Sequence, residues 1–296
     1  MDWKSKRIRT VLEAALLEDK AANDITTTLT IDPRTRATGT VVAMEPCLVS
    51  GLGAIPIFLE LFNKMSSAPP SRFEVVSHSE IFDGVCVRKG QTLAVIRGNA
   101  AAILSTERAI LNLLGRMCGI ATLTNAFVKA IAGTGAEVLD TRKTIPGLRA
   151  LDRYAVCCGG GLNHRNDLQD GILIKGNHLA LGGGIAATVA RALAARKPGQ
   201  LIQLEVRSLE DLPDALASGA DSFLLDNMTA AAVRRAVKII RASNPTIPIE
   251  AAGGITLANV HDFAAAGVNF VTIGSLTHSV HAPEINLRVS TDTALF

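Results

Sequence analysis

Short apolar runs alternate with amphipathic segments along the second half of the chain. The apolar runs cover residues 137–141, 171–175, 201–206, 222–226, 247–250 and 270–273. Segments with apolar residues at helical spacing separate them, at residues 185–196, 209–218, 229–243 and 257–266. Buried strands alternating with helices are typical of a parallel sheet, and a complete α/β barrel has about eight strands. The pattern therefore predicts either an incomplete barrel or a barrel with strands that the pattern does not reveal.

The first hundred residues predict a mixed α/β region. Apolar positions at helical spacing predict a helix over residues 5–20, and Asp24 is the candidate cap of a turn or helix that follows. A strand pattern over residues 37–49 precedes an apolar helix pattern over 53–62, and several short strands are predicted between 73 and 98. No chemistry is obvious in this region.

A strong helix pattern over residues 106–118 has Arg108 near its predicted start. A cation is disfavoured at that position because the N-terminal end of a helix carries partial positive charge. Arg108 therefore either pairs with a neighbouring acid or reaches for an anionic ligand.

Composition indicates a globular protein without a strong overall charge. Hydrophobic residues make up 48% and charged residues 19%, the net charge is +3, and one Trp and one Tyr are available for stacking. These values disfavour nucleic-acid binding.

The five cysteines are odd in number and form no C-x-x-C pair, which argues against a disulfide framework and structural zinc. Neither a signal-peptide pattern nor an apolar run of membrane-spanning length is found, so we predict a cytoplasmic protein without a membrane partner.

Basic residues are concentrated between residues 141 and 178, beside a glycine triplet at 159–161. Many cations next to glycines and buried strands predict a pocket for a small, multiply anionic molecule. The alternative is a solvated basic loop. The residues concerned are Arg142, Lys143, Arg149, Arg153, His164, Arg165 and Lys175.

Polar side chains follow almost every predicted strand, at the end where barrel enzymes have their active sites. Arg142, Lys143 and Lys175 lie at the ends of the first two strands and, together with Arg165, would bind a carboxylate-bearing substrate. Glu205 and Asp226 end the third and fourth strands, and their carboxylates suit Mg²⁺ or sugar hydroxyls. An ion pair with Lys175 is the structural alternative for these two acids.

Two glycine-bearing turns follow the last two predicted strands. Gly253-Gly254 and Gly274-Ser275 stand where barrels commonly bind a phosphate through backbone N–H groups. We therefore predict a phosphate site there, although a plain tight turn has the same sequence.

Several ordered motifs carry a resemblance to a known family. They are Leu17-Glu18-Asp19 with Asp24-Ile25-Thr26, Thr106-Glu107-Arg108, TRKTIPGLR at 141–149, GGGLNHR at 159–165, LIKGNH at 173–178, Gly253-Gly254-Ile255 and GSLTHS at 274–279. With these motifs nearly the whole chain resembles the quinolinate phosphoribosyltransferase family, the decarboxylating nicotinate-nucleotide pyrophosphorylases of NAD synthesis.

The resemblance implies an α/β fold with two domains. Residues 1–115 would form an N-terminal α/β sandwich, and residues 116–279 an open, roughly seven-stranded α/β barrel of TIM-barrel type. The tail at 280–296 would pack on the first domain. The resemblance also implies a homodimer at least, in which Arg108 is contributed across the interface.

The resemblance further assigns roles to individual residues. Lys143, Glu205 and Asp226 would be catalytic, and the two acids would face the ribose and Mg²⁺, either directly or through water. The residues implied for quinolinate are Arg108, Thr141, Arg142, Lys143, His164, Arg165 and Lys175. Those implied for the phosphoribosyl group are Glu205, Asp226, Ala252, Gly253, Gly254, Gly274 and Ser275.

The implied reaction joins the pyridine nitrogen of quinolinate to C1 of the ribose of phosphoribosyl pyrophosphate. Pyrophosphate leaves with Mg²⁺, carbon dioxide is lost, and nicotinate mononucleotide remains. Three positions depart from the family pattern: Gly176 replaces an acid, Ala252 replaces a Ser, and Ser275 replaces an Ala.

Three alternatives stay open from the sequence. A sibling phosphoribosyltransferase, such as the paralogues encoded with molybdate transporters, would use another substrate. An aldolase or lyase would use Lys143 or Lys175 as a Schiff base, which requires an apolar pocket around the lysine. A non-catalytic homologue would bind quinolinate without turnover, and Gly176 and Ala252 motivate that hypothesis.

Overall fold

The computed structural model describes residues 1–66 and 70–291. Its strands are β1 Arg36–Ala43, β2 Cys47–Leu48, β3 Glu74–Val76, β4 Cys86–Val87, β5 Thr92–Asn99, β6 Glu137–Leu139, β7 Ile172–Ile174, β8 Ile202–Val206, β9 Ser222–Asp226, β10 Ile249–Ala252, β11 Phe270–Thr272 and β12 Ile285–Thr291. Its α-helices are α1 Lys6–Glu18, α2 Ile25–Thr30, α3 Ala54–Met65, α4 Ala100–Ala130, α5 Arg149–Cys158, α6 Gly176–Gly182, α7 Gly184–Ala195, α8 Leu212–Ala217, α9 Ala230–Ser243, α10 Val260–Ala264 and α11 Ser275–His278. A 3₁₀ turn lies at Ala21–Asn23.

The chain divides into two compact units. The first contains Met1–Leu123, Thr144–Gly160 and Ser279–Phe296, and the second contains Thr124–Lys143 and Gly161–His278. These limits differ from the predicted boundary at 115/116, because α4 continues beyond it and residues 144–160 belong to the first unit.

The first unit is built on an antiparallel sheet in the order β12-β1-β5-β3. The C-terminal strand β12 pairs with β1 from Ala43↔Ile285 to Ala37↔Thr291, and residues 292–296 of the predicted tail lie outside the described residues. Helix α1 buries Ile8, Leu12 and Leu16, which recur every fourth residue and so share one face. The predicted helix over 5–20 is thus confirmed.

Side-chain caps explain where two helices of this unit begin. Asp24 accepts a hydrogen bond from the backbone N–H of Thr27, as predicted, and caps α2. The Asn99 side chain accepts from the N–H of Ala102 and starts α4 earlier than its predicted start at residue 106. Arg108 therefore lies well inside α4, and the prediction that it stands at a positively charged helix start is wrong.

The second unit contains a parallel sheet in the order β6-β11-β10-β9-β8-β7, with β6 and β7 at its edges. These are the six predicted strands. An isolated parallel bridge between Leu139 and Leu162 extends the sheet beside β6, at the place where a seventh strand would lie. The predicted fold class, an α/β sandwich domain with an open α/β barrel, is confirmed.

Side chains alternate between the two faces of the sheet along β8 and β9. Ile202, Leu204 and Val206 of β8 are buried, as are Phe223 and Leu225 of β9. The residues between them face the opposite side of the sheet, which places the acids of β8 and β9 together.

The predicted helices of this unit form with shifted ends, and α10 is shorter than the predicted 257–266. Helices α5 and α6 fall inside the basic stretch and were not predicted. Among the described residues no single helix is long and apolar enough to span a membrane. The bent pair α6 and α7 reaches the necessary length and apolar composition only when the two helices are taken together. The cytoplasmic location stays a prediction.

Candidate active site

A cavity of about 680 Å³ opens at the carboxyl ends of the parallel strands. It is lined by every predicted site residue of the second unit, which are Thr141, Arg142, Lys143, His164, Arg165, Lys175, Glu205, Asp226, Ala252, Gly253, Gly254, Gly274 and Ser275. Strand ends meet at this edge because the sheet is parallel, and this brings together residues from six separate strands.

Two arginines crowd one another in the cavity. The Nε atom of Arg142 is buried and has no hydrogen-bond partner among the described residues. Burial and the like charge of Arg142 lower the pKa of Arg165, whose Nη1 donates to the carbonyl of Gly171 at 3.1 Å. An anion placed between the guanidinium groups would relieve this repulsion and satisfy the buried Nε.

His164 is held by three hydrogen bonds. Its backbone N–H donates to Asp140 at 2.7 Å, and its Nδ1 accepts from the N–H of Arg165 at 2.7 Å. Its Nε2 lies 3.3 Å from Oε2 of Glu250. These contacts fix the orientation of the ring and direct Nε2 toward the Glu250 carboxylate. His164 therefore lines the cavity in an orientation that is fixed by its neighbours.

Glu250 lies at the floor of the cavity and is 2% exposed. It accepts hydrogen bonds from Gln203 at 2.7 Å and from Thr272 at 2.5 Å, besides its contact with His164. Burial alone would raise the pKa of Glu250, but these hydrogen-bond donors outweigh it and lower the pKa. Glu250 is thus a buried carboxylate that fixes side chains of two other strands, β8 and β11, and the His164 ring.

Glu205 and Asp226 form a pair of close carboxylates. Burial, followed by the like charge of Glu205, raises the pKa of Asp226. Oε1 of Glu205 accepts from the N–H of Gly176 at 3.1 Å. The guanidinium of Arg207 contacts both acids, through Nη2 to Glu205 at 2.9 Å and through Nε to Asp226 at 3.7 Å.

The donor set suits a Mg²⁺ ion that arrives with a substrate. In the described residues no group of three or more His, Cys, Asp or Glu side chains is arranged to hold a metal. Mg²⁺ commonly uses one or two carboxylates and completes its shell with substrate phosphates and water. Glu205 and Asp226 offer two such carboxylates on neighbouring strands.

The loops after β9 and β10 pack tightly against each other. Gly253 has φ 86° and Gly254 has φ 66°, values that favour glycine, and a Cβ at Gly253 would collide with the side chain of Asn227. Gly274 follows β11, and a Cβ at this position would lie only 3.3 Å from Cδ of Lys143. The packing of both predicted phosphate loops against neighbouring side chains therefore favours glycine at Gly253 and Gly274.

Arg149 and Arg153 of the basic stretch lie in α5, in the first unit, and do not line this cavity, and neither does Arg108. Arg108 lies in the first unit and lines a separate cavity of about 680 Å³. That cavity is formed by residues of α1 and α4 and by residues 145–148.

Several polar residues of the cavity had no predicted role: Arg207, Asn227, Glu250, Thr256, Thr272 and His278. Arg207 directly follows the last residue of β8, so the strand-end criterion that selected Lys175 would also have selected it. Glu250 was noticed as a strand-end acid, but β10 continues to Ala252 and places Glu250 deeper in the sheet.

Comparisons with known proteins cover nearly the whole chain. The family model described as "Quinolinate phosphoribosyl transferase, C-terminal domain" matches residues 120–288, and its N-terminal counterpart matches residues 24–118.

Relatives with assigned names and solved structures agree with these matches. The chain is 40% identical over 292 residues to the nicotinate-nucleotide pyrophosphorylase (carboxylating) of Mycobacterium leprae, covering 97% of this chain and 98% of the relative. It is 43% identical over 208 residues to a probable enzyme of the same name from Bacillus subtilis, covering 70% and 71%. The crystal structure of NadC from Streptococcus pyogenes gives a TM-score of 0.89 at 31% identity, covering 98% and 99%. The chain therefore belongs to the quinolinate phosphoribosyltransferase family, as its sequence motifs predicted.

Proposed function

We propose that this protein transfers the phosphoribosyl group of phosphoribosyl pyrophosphate to quinolinate and that carbon dioxide is lost, giving nicotinate mononucleotide for NAD synthesis. One observation carries the proposal: a single cavity combines crowded arginines with a pair of close carboxylates and two glycine-bearing loops. The relatives from Mycobacterium leprae and Bacillus subtilis are named for this reaction.

The cations would bind the two carboxylates of quinolinate. Arg142 and Arg165 repel each other and include a buried Nε without a partner, which favours a dianion over a neutral ligand. Lys143 and Lys175 add positive charge at the ends of β6 and β7. Fixing the carboxylates orients the ring nitrogen toward the sugar, and positioning of this kind can supply roughly 7–11 kcal/mol of a barrier.

The carboxylates would stabilise the reacting sugar. Departure of pyrophosphate builds positive charge on the ribose, which Glu205 and Asp226 can stabilise in a site of low dielectric constant. Gly253, Gly254 and Gly274 would bring backbone N–H groups to the 5′-phosphate. A general base is unnecessary because a pyridine nitrogen attacks without losing a proton.

Mg²⁺ is part of this proposal. Glu205 and Asp226 would hold it, and the ion would neutralise charge on the departing pyrophosphate.

A homodimer with shared sites is also proposed. Arg108 would act in the site of the facing subunit, as the family resemblance implies. Its support from the structure is that Arg108 lines a cavity of the first unit, with Asn112 and Arg116, and has access to solvent there.

Incubation with phosphoribosyl pyrophosphate, Mg²⁺ and either quinolinate or nicotinate tests the function. We expect nicotinate mononucleotide from quinolinate only. Product from nicotinate alone would favour the sibling phosphoribosyltransferase, and calorimetric binding of quinolinate without turnover would favour the non-catalytic homologue. Trapping of a carbonyl substrate by borohydride would favour the Schiff-base alternative.

A further inference from the structure

Arg207 contacts two acids but is much more exposed to solvent than either of them. Its partners Glu205 and Asp226 have side chains that are 4% and 17% exposed, whereas the Arg207 side chain is 57% exposed. All three side chains line the cavity, and the guanidinium is the most exposed of the three. A guanidinium has five N–H donors, so contacts with two acids leave donors for another anion.

The carboxylate pair by itself would repel a phosphate group. Two negative charges on neighbouring strands raise the cost of bringing an anion close, and this repulsion is strong where water is excluded. A fixed cation beside the acids, at the surface of the cavity, offsets that repulsion. Arg207 is placed there by the two acids, and its planar donor fork matches phosphate oxygens.

Gly176 leaves the space that the guanidinium occupies. A Cβ at this position would lie 2.9 Å from Nη1 and 3.0 Å from Cζ of Arg207. The N–H of Gly176 also donates to Glu205, so the first residue of α6 fixes the acid while its missing side chain makes room for the arginine. Gly176 and Arg207 thus form one structural unit.

We infer that Arg207 is a binding residue for the pyrophosphate group of phosphoribosyl pyrophosphate, positioned by Glu205 and Asp226 and given room by Gly176. This inference rests on the proposed function for the identity of the ligand. Arg207 would act on the leaving group and would not contact quinolinate.

Calorimetry with inorganic pyrophosphate in the absence of metal tests the inference. We expect Arg207→Gln to weaken pyrophosphate binding about tenfold or more, because it removes a charge-assisted hydrogen bond. Gly176→Ala should weaken it as well, because the methyl group displaces the guanidinium while alanine is favourable in a helix. The variant that combines Gly176→Ala with Arg207→Gln should bind pyrophosphate no more weakly than Arg207→Gln alone, because both substitutions remove the same contact.

Two controls separate this inference from the proposed function. Arg234→Gln removes an exposed arginine of α9 that does not line the cavity and should bind pyrophosphate like the wild type. In steady-state assays Arg207→Gln should raise the KM for phosphoribosyl pyrophosphate and leave that for quinolinate unchanged. Thermal melting checks that each variant is folded.

Unchanged pyrophosphate binding in Arg207→Gln, or no metal-free binding by the wild type, would overturn the inference, and Arg207 would then only neutralise its two acids. Additive losses in the double variant would overturn the role of Gly176. Absence of nicotinate mononucleotide from the wild type would instead refute the proposed function, even where Arg207→Gln weakens pyrophosphate binding as expected.

Discussion

At the scale of single residues, the charge available in the cavity depends on which side chains are paired. The sequence identified the residue types at the strand ends, and the cavity contains all of those from the second unit. It could not identify their pairing, because His164 meets Glu250 and Arg207 meets Asp226 only through the register of the folded sheet. The predicted binding role of His164 stays a prediction, and the structure adds that its Nε2 lies 3.3 Å from a carboxylate oxygen of Glu250.

Substitution of Arg142 tests the carboxylate end of the site. Arg142→Gln should raise the KM for quinolinate about tenfold or more, since a charge-assisted hydrogen bond contributes about 1.5–3 kcal/mol. The KM for phosphoribosyl pyrophosphate should stay within about twofold, and Arg234→Gln serves again as the control. An equal rise in both constants would contradict a specific role in binding quinolinate.

The lowered pKa of Glu250 predicts that this residue contributes to the stability of the fold in a pH-dependent way. Its pKa is lower in the folded protein than the ordinary value of 4.5, so its ionised form stabilises the fold above that pH and the stabilisation is lost as the pH falls through the folded pKa. Glu250→Gln should lower the melting temperature at pH 7, because an amide donor then faces donors from Gln203 and His164. The difference from the wild type should shrink in acid, and a constant difference across pH would contradict this role of the carboxylate.

At the scale of elements, local patterns predicted the strands better than the limits of the helices. Continuous apolar runs mark the six barrel strands because both faces of a parallel sheet are covered. Helix α5 escaped prediction because its basic residues dominate the pattern, although Leu151, Ala155 and Val156 are buried on one face. Helix α5 belongs to the first unit through a contact with α4, and a contact between residues so far apart in sequence cannot be predicted from a local pattern.

That contact joins Arg116 of α4 to Asp152 of α5 by two hydrogen bonds of 2.8 and 2.7 Å, with Asp152 fully buried. Burial raises the pKa of Asp152, although Arg116 opposes the shift. Arg116→Met should destabilise the protein by roughly 3–5 kcal/mol, because it leaves a buried charge without its partner. Adding Asp152→Leu should restore most of the loss. Thermal or urea unfolding measures both, and a single variant as stable as the wild type would contradict the pairing.

At the scale of the whole molecule, the sequence motifs predicted the family and the two-part architecture. Most of the motifs lie at strand ends and turns, where the chemistry restricts the choice of residue, whereas Thr106-Glu107-Arg108 lies inside α4. The limits of the units were less predictable. Segment 144–160 follows a barrel strand in sequence but clusters with the first unit.

Mixing two inactive variants tests the proposed shared site. Arg108→Ala and Lys143→Ala should each have low activity as separate dimers. Mixed dimers contain one site with both residues intact and should regain part of the activity, up to about a quarter of the wild type at equal mixing. Mixed dimers that form without any gain would show that Arg108 does not act across an interface.

The central claim is that this cavity joins a dicarboxylate to a phosphoribosyl group and then releases carbon dioxide. Its most direct test uses quinolinate labelled in the carboxyl group next to the ring nitrogen, with phosphoribosyl pyrophosphate and Mg²⁺. We predict labelled carbon dioxide, nicotinate mononucleotide and pyrophosphate in equal amounts, with no carbon dioxide when phosphoribosyl pyrophosphate is left out. Release of carbon dioxide without the second substrate, or a nucleotide that retains the label, would contradict the claim.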